Sequence, residues 1–176
     1  MLKKSHFDGA IRIIDWSLIA IDSTNAARSQ TANRIPVFQG LKKHSRYDNV
    51  DYVDVVAEGS ISNRPIGSYV FKLGAVSGLT EGRIASQKSD VDMDDSEEFT
   101  TEYCIVNVDN SSFAKPGDSG TWVVDGKGAA VGYMIGGQNK ELPMRTYVSD
   151  MRMVFDDIQA QTGHRPQIVT ATDTYS

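Results

Sequence analysis

From Val53 onward the chain alternates short runs of β-branched and aromatic residues with glycine and polar turns. The runs are "YVDVVAEG", "SYVFKLG", "GLTEGRIAS", "EFTTEYCIVNVD", "GTWVVDG", "AAVGYMIGG" and "MRTYVSD". This pattern predicts an all-β barrel or sandwich and leaves little chain for helices. A further run, "AIRIIDWSLIAID", precedes them and predicts one or two strands. The stretch between, "STNAARSQTANRIPVFQGLKKHSRYDN", is polar, carries Pro36 and reads as a connector between two lobes. Its Lys42, Lys43 and Arg46 fit a solvated linker, with a docking patch as the alternative. The period changes only at the end. In "DMRMVFDDIQAQTGHRP", Met151, Val154, Phe155 and Ile158 recur at helical spacing behind Asp150 as N-cap, and Gly163 and Pro166 stop the helix.

The 176 residues suffice for one domain with a core, or for two small lobes sharing an interface. A formal net charge of -5 and a pI near 5.1 argue against a nucleic-acid surface, which needs a basic excess to neutralise phosphates. Cys104 is the one cysteine, so no intramolecular disulfide and no thiolate zinc site can form. Asp8, Arg12 and Asp15 interrupt the apolar N-terminal stretch, and no apolar segment reaches the roughly 18 residues of a membrane span. Together these predict an intracellular protein with no membrane span.

The acidic stretch "SDVDMDDSEE" begins with a calcium-loop spacing, but Asp95 stands where glycine is needed and Thr101 where a bidentate glutamate is needed. A solvated hairpin loop is expected there. The spacing of Gly74, Gly78 and Gly82 matches neither phosphate-cradling motif, and neither a metal nor a cofactor is expected.

One segment carries candidate chemistry, "KPGDSGTWVVD". Proline and glycines around Asp118 and Ser119 suit a plain β-turn feeding a hairpin. They also suit acyl transfer. A serine hydroxyl needs a base to take its proton and donors to hold the oxyanion that forms on the substrate. Gly117 would let the N–H groups of Gly117 and Ser119 converge, and Gly120 would keep the approach to Ser119 open.

Here the chain resembles the trypsin-like, chymotrypsin-fold serine peptidases through four segments in the family's order. "DWSLIAID" resembles the aspartate segment, "KPGDSGTWVVD" the nucleophile loop and "AAVGYMIGG" the strand that pairs with substrate backbone. "RTYVSDMRMVFDDIQ" resembles the strand that runs into the C-terminal helix. "FKLGAVSGLTEGRI", with its Lys-x-Gly and Gly-x-Thr-x-Gly spacing, further resembles intracellular trypsin-like proteins of fungi, including the nutrient-sensor processing protease group.

The resemblance implies Ser119 as nucleophile, Asp15 as the residue orienting a histidine, the N–H groups of Gly117 and Ser119 as oxyanion hole, and Asp118 as a structural carboxylate. It puts Phe113 and Ala114 at the base of the primary substrate pocket, with Gly136 and Gly137 leaving that pocket open. None of these is acidic, so an apolar or small substrate side chain is expected rather than Lys or Arg.

The fold this implies is a double β-barrel: residues 1–25 a remnant of a truncated first barrel, 26–50 an inter-barrel linker, 51–149 a complete second barrel, 150–163 the C-terminal helix and 164–176 a flexible tail. The catalytic histidine of this family lies well upstream of the aspartate. His44 and His164 follow Asp15, and His6 precedes it too closely for the strands that normally intervene.

Three readings stay open. The chain is the serine-bearing part of a peptidase completed by an upstream segment or second chain, a catalytically inactive pseudoprotease that binds peptides or proteins, or an unrelated β-rich domain.

Overall fold

The computed structural model describes residues 3–7, 9–14, 34–36, 52–92, 99–108, 112–138 and 145–169. All seven predicted strand runs form strands. β1 (Lys3–Phe7) and β2 (Ala10–Ile14) make an antiparallel hairpin. β3 (Arg34–Pro36) pairs with β4 (Tyr52–Asp54). There follow β5 (Ala57–Glu58), a 3-10 turn at Ile61–Asn63, β6 (Tyr69–Gly74), β7 (Gly78–Val91) and β8 (Thr100–Asn107). β9 (Trp122–Asp125), β10 (Ala129–Gln138), β11 (Arg145–Asp150) and the helix α1 (Met151–Thr162) complete the order.

Six strands close on themselves. The sheet order runs β11-β8-β7-β6-β9-β10, and β10 pairs again with β11, so a sheet of antiparallel neighbours closes into a barrel. Alternation fills its interior: Val70, Ile84, Ile105, Phe113, Val123, Val131 and Val148 form one buried cluster. The opposite faces of β9 and β10 supply Val124, Ala130, Tyr133 and Ile135 to a second cluster, which α1 covers with Met151, Val154, Phe155 and Ile158. Burying each of those helix side chains stabilises the fold by roughly 1.5–3 kcal/mol. Asp150 caps the helix by accepting from the Arg152 N–H at 3.0 Å, and Gly163 closes it by donating to the Gln159 carbonyl at 2.9 Å.

Two regions differ from expectation. The N-terminal residues preceding the apolar run form β1, because an antiparallel partner satisfies its backbone. The connector contributes β3, whose Ile35 is buried in the cluster beneath α1. The β1–β2 hairpin is anchored by alternate side chains of β2, which packs against β8 and β11. Arg12 and Ile14 are both buried; the Arg12 guanidinium lies 4.5 Å from the Tyr103 ring centroid and 3.7 Å from Glu102 Oε2. No helix among the described residues is long and apolar enough to cross a membrane.

Candidate active site

The loop from Lys115 to Thr121 enters the barrel ahead of β9 and is bonded at both ends. The Asp118 N–H donates to the Lys115 carbonyl at 3.0 Å, and the Thr121 N–H to the Asp118 carbonyl at 3.1 Å. The Gly120 N–H reaches the Met134 carbonyl at 2.8 Å and the Met134 N–H the Thr121 carbonyl at 2.9 Å, which ties the loop to β10. Gly117 has a φ of 97°, a region that a side chain strongly disfavours. Among the described residues the N–H groups of Gly117 and Ser119 and the Ser119 hydroxyl have no hydrogen-bond partner, and Ser119 is exposed.

Asp118 faces the other way. It is fully buried, and its carboxylate accepts from Lys72 Nζ at 3.1 Å and from the N–H groups of Val76 at 2.8 Å, Ser77 at 3.1 Å and Lys115 at 3.0 Å. Burial pushes its pKa up, but hydrogen bonds from the Ser77 hydroxyl and from the Lys115, Val76 and Ser77 N–H groups prevail and hold it well below the usual carboxylate range. Its charge is therefore permanent at neutral pH.

Beside Ser119 opens a cavity of about 280 Å³, lined by Ala114, Lys115, Pro116, Ser119, Met134, Ile135, Gly136 and Gly137. Of the residues expected to form a substrate pocket, Ala114, Gly136 and Gly137 line it together with Ser119. Phe113 does not. It is fully buried in the barrel core, its ring centroid 5.5 Å from Lys72 Nζ. Polar groups near the cavity are already engaged: the Phe113 carbonyl accepts from Thr80 Oγ1 at 2.7 Å, the Ala114 carbonyl from Ser112 Oγ at 2.5 Å, and the Phe113 N–H donates to Asn107 Oδ1 at 2.9 Å.

Beyond the cavity β10 has a strand partner on one side only among the described residues. Gly136, Gly137 and Gln138 pair with β11, whereas β9 pairs with β10 no further than Tyr133. A register shift between Met134 and Gly136 marks this change.

Asp15 and His44 lie outside the described residues. His6 belongs to β1, and its side chain is outside the description. His164 is exposed, its Nδ1 2.9 Å from the Thr162 carbonyl at the end of α1. Sequence reasoning missed Lys72, Val76 and Ser77 as the partners of Asp118. The Lys-x-Gly spacing marked their segment, but no local pattern tells which loop a hairpin will meet.

A closed six-stranded barrel with a C-terminal helix, carrying a serine between glycines at a cavity mouth, is the fold of a trypsin-like serine peptidase. The sequence profile of peptidase family S64 matches residues 11–141, and the chain belongs to that family. No curated protein matches the chain.

Among solved structures it is similar to a chymotrypsin from Cellulomonas bogoriensis, 26% identical over 72% of this chain and 61% of that one, with a TM-score of 0.47. Thermobifida fusca protease A is 22% identical over 70% of this chain and 59% of its own, at a TM-score of 0.49. A Nocardiopsis protease is 23% identical over 70% and 58%, at 0.47. The chain thus spans about three fifths of the length of these proteins.

Proposed function

We propose that the chain is the serine-bearing part of a peptidase that cleaves peptide bonds by acyl transfer, with Ser119 as nucleophile. The observation that carries this reading is the exposed Ser119 at the mouth of a 280 Å³ cavity, on a loop whose Gly117 and Ser119 N–H groups are left unbonded among the described residues. Those two donors hold the oxyanion of the tetrahedral intermediate. Asp15 orients a histidine base, which takes the Ser119 proton and returns it to the leaving amine. The peptide substrate adds as a strand along the β10 edge at Gly136 to Gln138, with the side chain preceding the scissile bond in the cavity.

The cavity wall supports an apolar side chain there. The carbonyls of Phe113 and Ala114 are already bonded, and the one charged lining residue, Lys115, repels a cationic side chain. Even an engineered cavity of about 150 Å³ admits a benzene ring, so an aromatic side chain is not too large.

The test is labelling by a fluorophosphonate probe, with the adduct located by mass spectrometry and Ser119→Ala as control. Labelling at Ser119 that the substitution abolishes is the expected result. A folded chain left unlabelled, but retaining an extended peptide, would instead identify a binding module.

A further inference from the structure

The spacing Lys72-x-Gly74 and Gly78-x-Thr80-x-Gly82 is not explained by acyl transfer itself. It lies on the β6–β7 hairpin, closed by the Gly74–Gly78 pair; Lys72 and Gly74 meet Asp118 of the nucleophile segment, and Thr80 and Gly82 meet Phe113 just ahead of it. Thr80 Oγ1 donates to the Phe113 carbonyl, and a Cβ at Gly82 would stand 2.8 Å from the Phe113 ring. Lys72, itself fully buried, donates to Asp118 Oδ2 at 3.1 Å and to Ser77 Oγ at 2.6 Å. The hairpin tip adds the Val76 and Ser77 N–H groups, both directed at Asp118 Oδ1.

Gly74 is the room this pair needs. A Cβ there would come within 2.5 Å of Asp118 Oδ1 and 2.6 Å of Lys72 Nζ. The tip also touches the loop directly, since a Cβ on Gly117 would lie 2.7 Å from Val76 Cγ2. Asp118 stands between the two peptide groups that carry the free N–H donors. Fixing its carboxylate from the hairpin therefore fixes the orientation of the Gly117 and Ser119 peptides.

We infer that Lys72, Val76 and Ser77 are positioning residues for the oxyanion-binding N–H groups: the buried ammonium and the hairpin tip hold Asp118, and Asp118 holds the loop. This rests on Ser119 being the nucleophile. The groups facing Lys72 are the Asp118 carboxylate, the Ser77 hydroxyl and the Phe113 ring. Burial draws the Lys72 pKa down while the hydrogen bond and charge of Asp118 oppose it. Loss of that proton breaks the ion pair, so Ser119 reactivity declines in alkaline solution below the ordinary lysine pKa of about 10.4.

Two measurements on the same variants separate this assignment from the peptidase reading. One is the rate of fluorophosphonate labelling at Ser119; the other is amide hydrogen exchange over residues 115–121, which needs no activity. Lys72→Met is expected to slow labelling about 100-fold, as loss of an oxyanion donor does. Lys72→Arg restores part of the rate and moves the alkaline decline upward, because the guanidinium stays charged. Ser77→Ala, the milder change that decides if Lys72→Met does not fold, slows labelling about tenfold, the worth of one hydrogen bond to a charged group. Both Lys72→Met and Ser77→Ala speed exchange in the loop.

Unchanged exchange in the folded variants overturns the positioning assignment, and so does faster exchange with labelling as fast as the unaltered chain. Faster exchange in variants of a chain that is itself never labelled supports the positioning of the loop and removes the peptidase reading alone.

Discussion

Two ion pairs are fully buried among the described residues, and they are built differently. Asp118, at the nucleophile loop, meets Lys72 at 3.1 Å and three backbone N–H groups besides, so its oxygens are satisfied from two directions. Arg12, at the N-terminal hairpin, faces Glu102 at 3.7 Å, donates to the Thr101 carbonyl and stacks on Tyr103, yet its Nε and Nη2 are buried with no partner among the described residues. A charge removed from water is tolerated when hydrogen bonds replace its hydration and is a liability when they do not. The first pair is thus a rigid part of the site's scaffold. The second pins the hairpin to β8 at a cost that the rest of the contact must offset.

The sharpest way to break that contrast is Asp118→Asn. The amide keeps one accepting oxygen but sets an NH2 against donors where the second carboxylate oxygen accepted from Lys72 and the Lys115 N–H, and it leaves the Lys72 ammonium without its counter-charge. We expect a loss of about 3 kcal/mol, near the lower end for breaking a buried pair because Lys72 can shed its proton. That corresponds to a fall of roughly 6–12 °C in the melting midpoint.

Acid sharpens the comparison. The folded-state pKa of Asp118 is depressed, so its contribution is present above the unfolded value of about 3.9 and is lost as pH falls below it. Urea denaturation between about pH 2 and 4 should therefore show a shallower loss of stability in Asp118→Asn than in the unaltered chain. An equal slope would mean that other carboxylates carry the acid sensitivity.

How much of this could be read beforehand follows the range of the interactions. Strand positions were legible because alternation is local: Val70, Val123 and Val131 turn inward wherever the sheet goes. The helix was legible for the same reason, with Asp150 and Gly163 in the roles their residue types favour. Ser119 stood out because glycines on both sides are demanded by a loop's backbone geometry. Phe113 was misplaced relative to the cavity because at this turn one residue decides between core and wall, and Ala114 is the residue that reaches the wall. The partners of Asp118 were beyond reach, since Lys72 and Val76 lie 46 and 42 positions away and meet it only when β6 joins β9 in the closed barrel. β3 was hidden by a different cause. A three-residue strand ending in Pro36 carries too little periodicity to stand out from a connector.

A smaller effect is expected at the other pair. Arg12→Met removes the stack on Tyr103, one hydrogen bond and the charge opposite Glu102, but it also removes two buried donors without partners among the described residues, while the Ser149 hydroxyl still donates to Glu102 at 2.7 Å. These terms oppose one another, so stability should change by no more than about 1 kcal/mol. A loss as large as that of Asp118→Asn would show that Arg12 is the stronger anchor and would reverse the contrast between the two sites.

Asp150 should give the smallest effect, with the opposite sign in pH. It too is a fully buried carboxylate, accepting from Ser60 Oγ at 2.5 Å, the Ser62 N–H at 3.3 Å and the Arg152 N–H at 3.0 Å. Here burial prevails over those hydrogen bonds and the pKa is raised. The fold therefore holds the proton more tightly than the unfolded chain does. Its contribution is full below the unfolded value of about 3.9 and is lost as pH rises through the folded one. Asparagine resembles the protonated form and caps a helix about as well as aspartate. Asp150→Asn should accordingly cost most below the unfolded value of about 3.9, where the folded side chain holds its proton, and progressively less as pH rises through the raised folded value. Denaturation midpoints of the two chains should converge as pH rises. If they diverge instead, the hydrogen bonds outweigh burial at Asp150, and the two carboxylates are clamped in the same way.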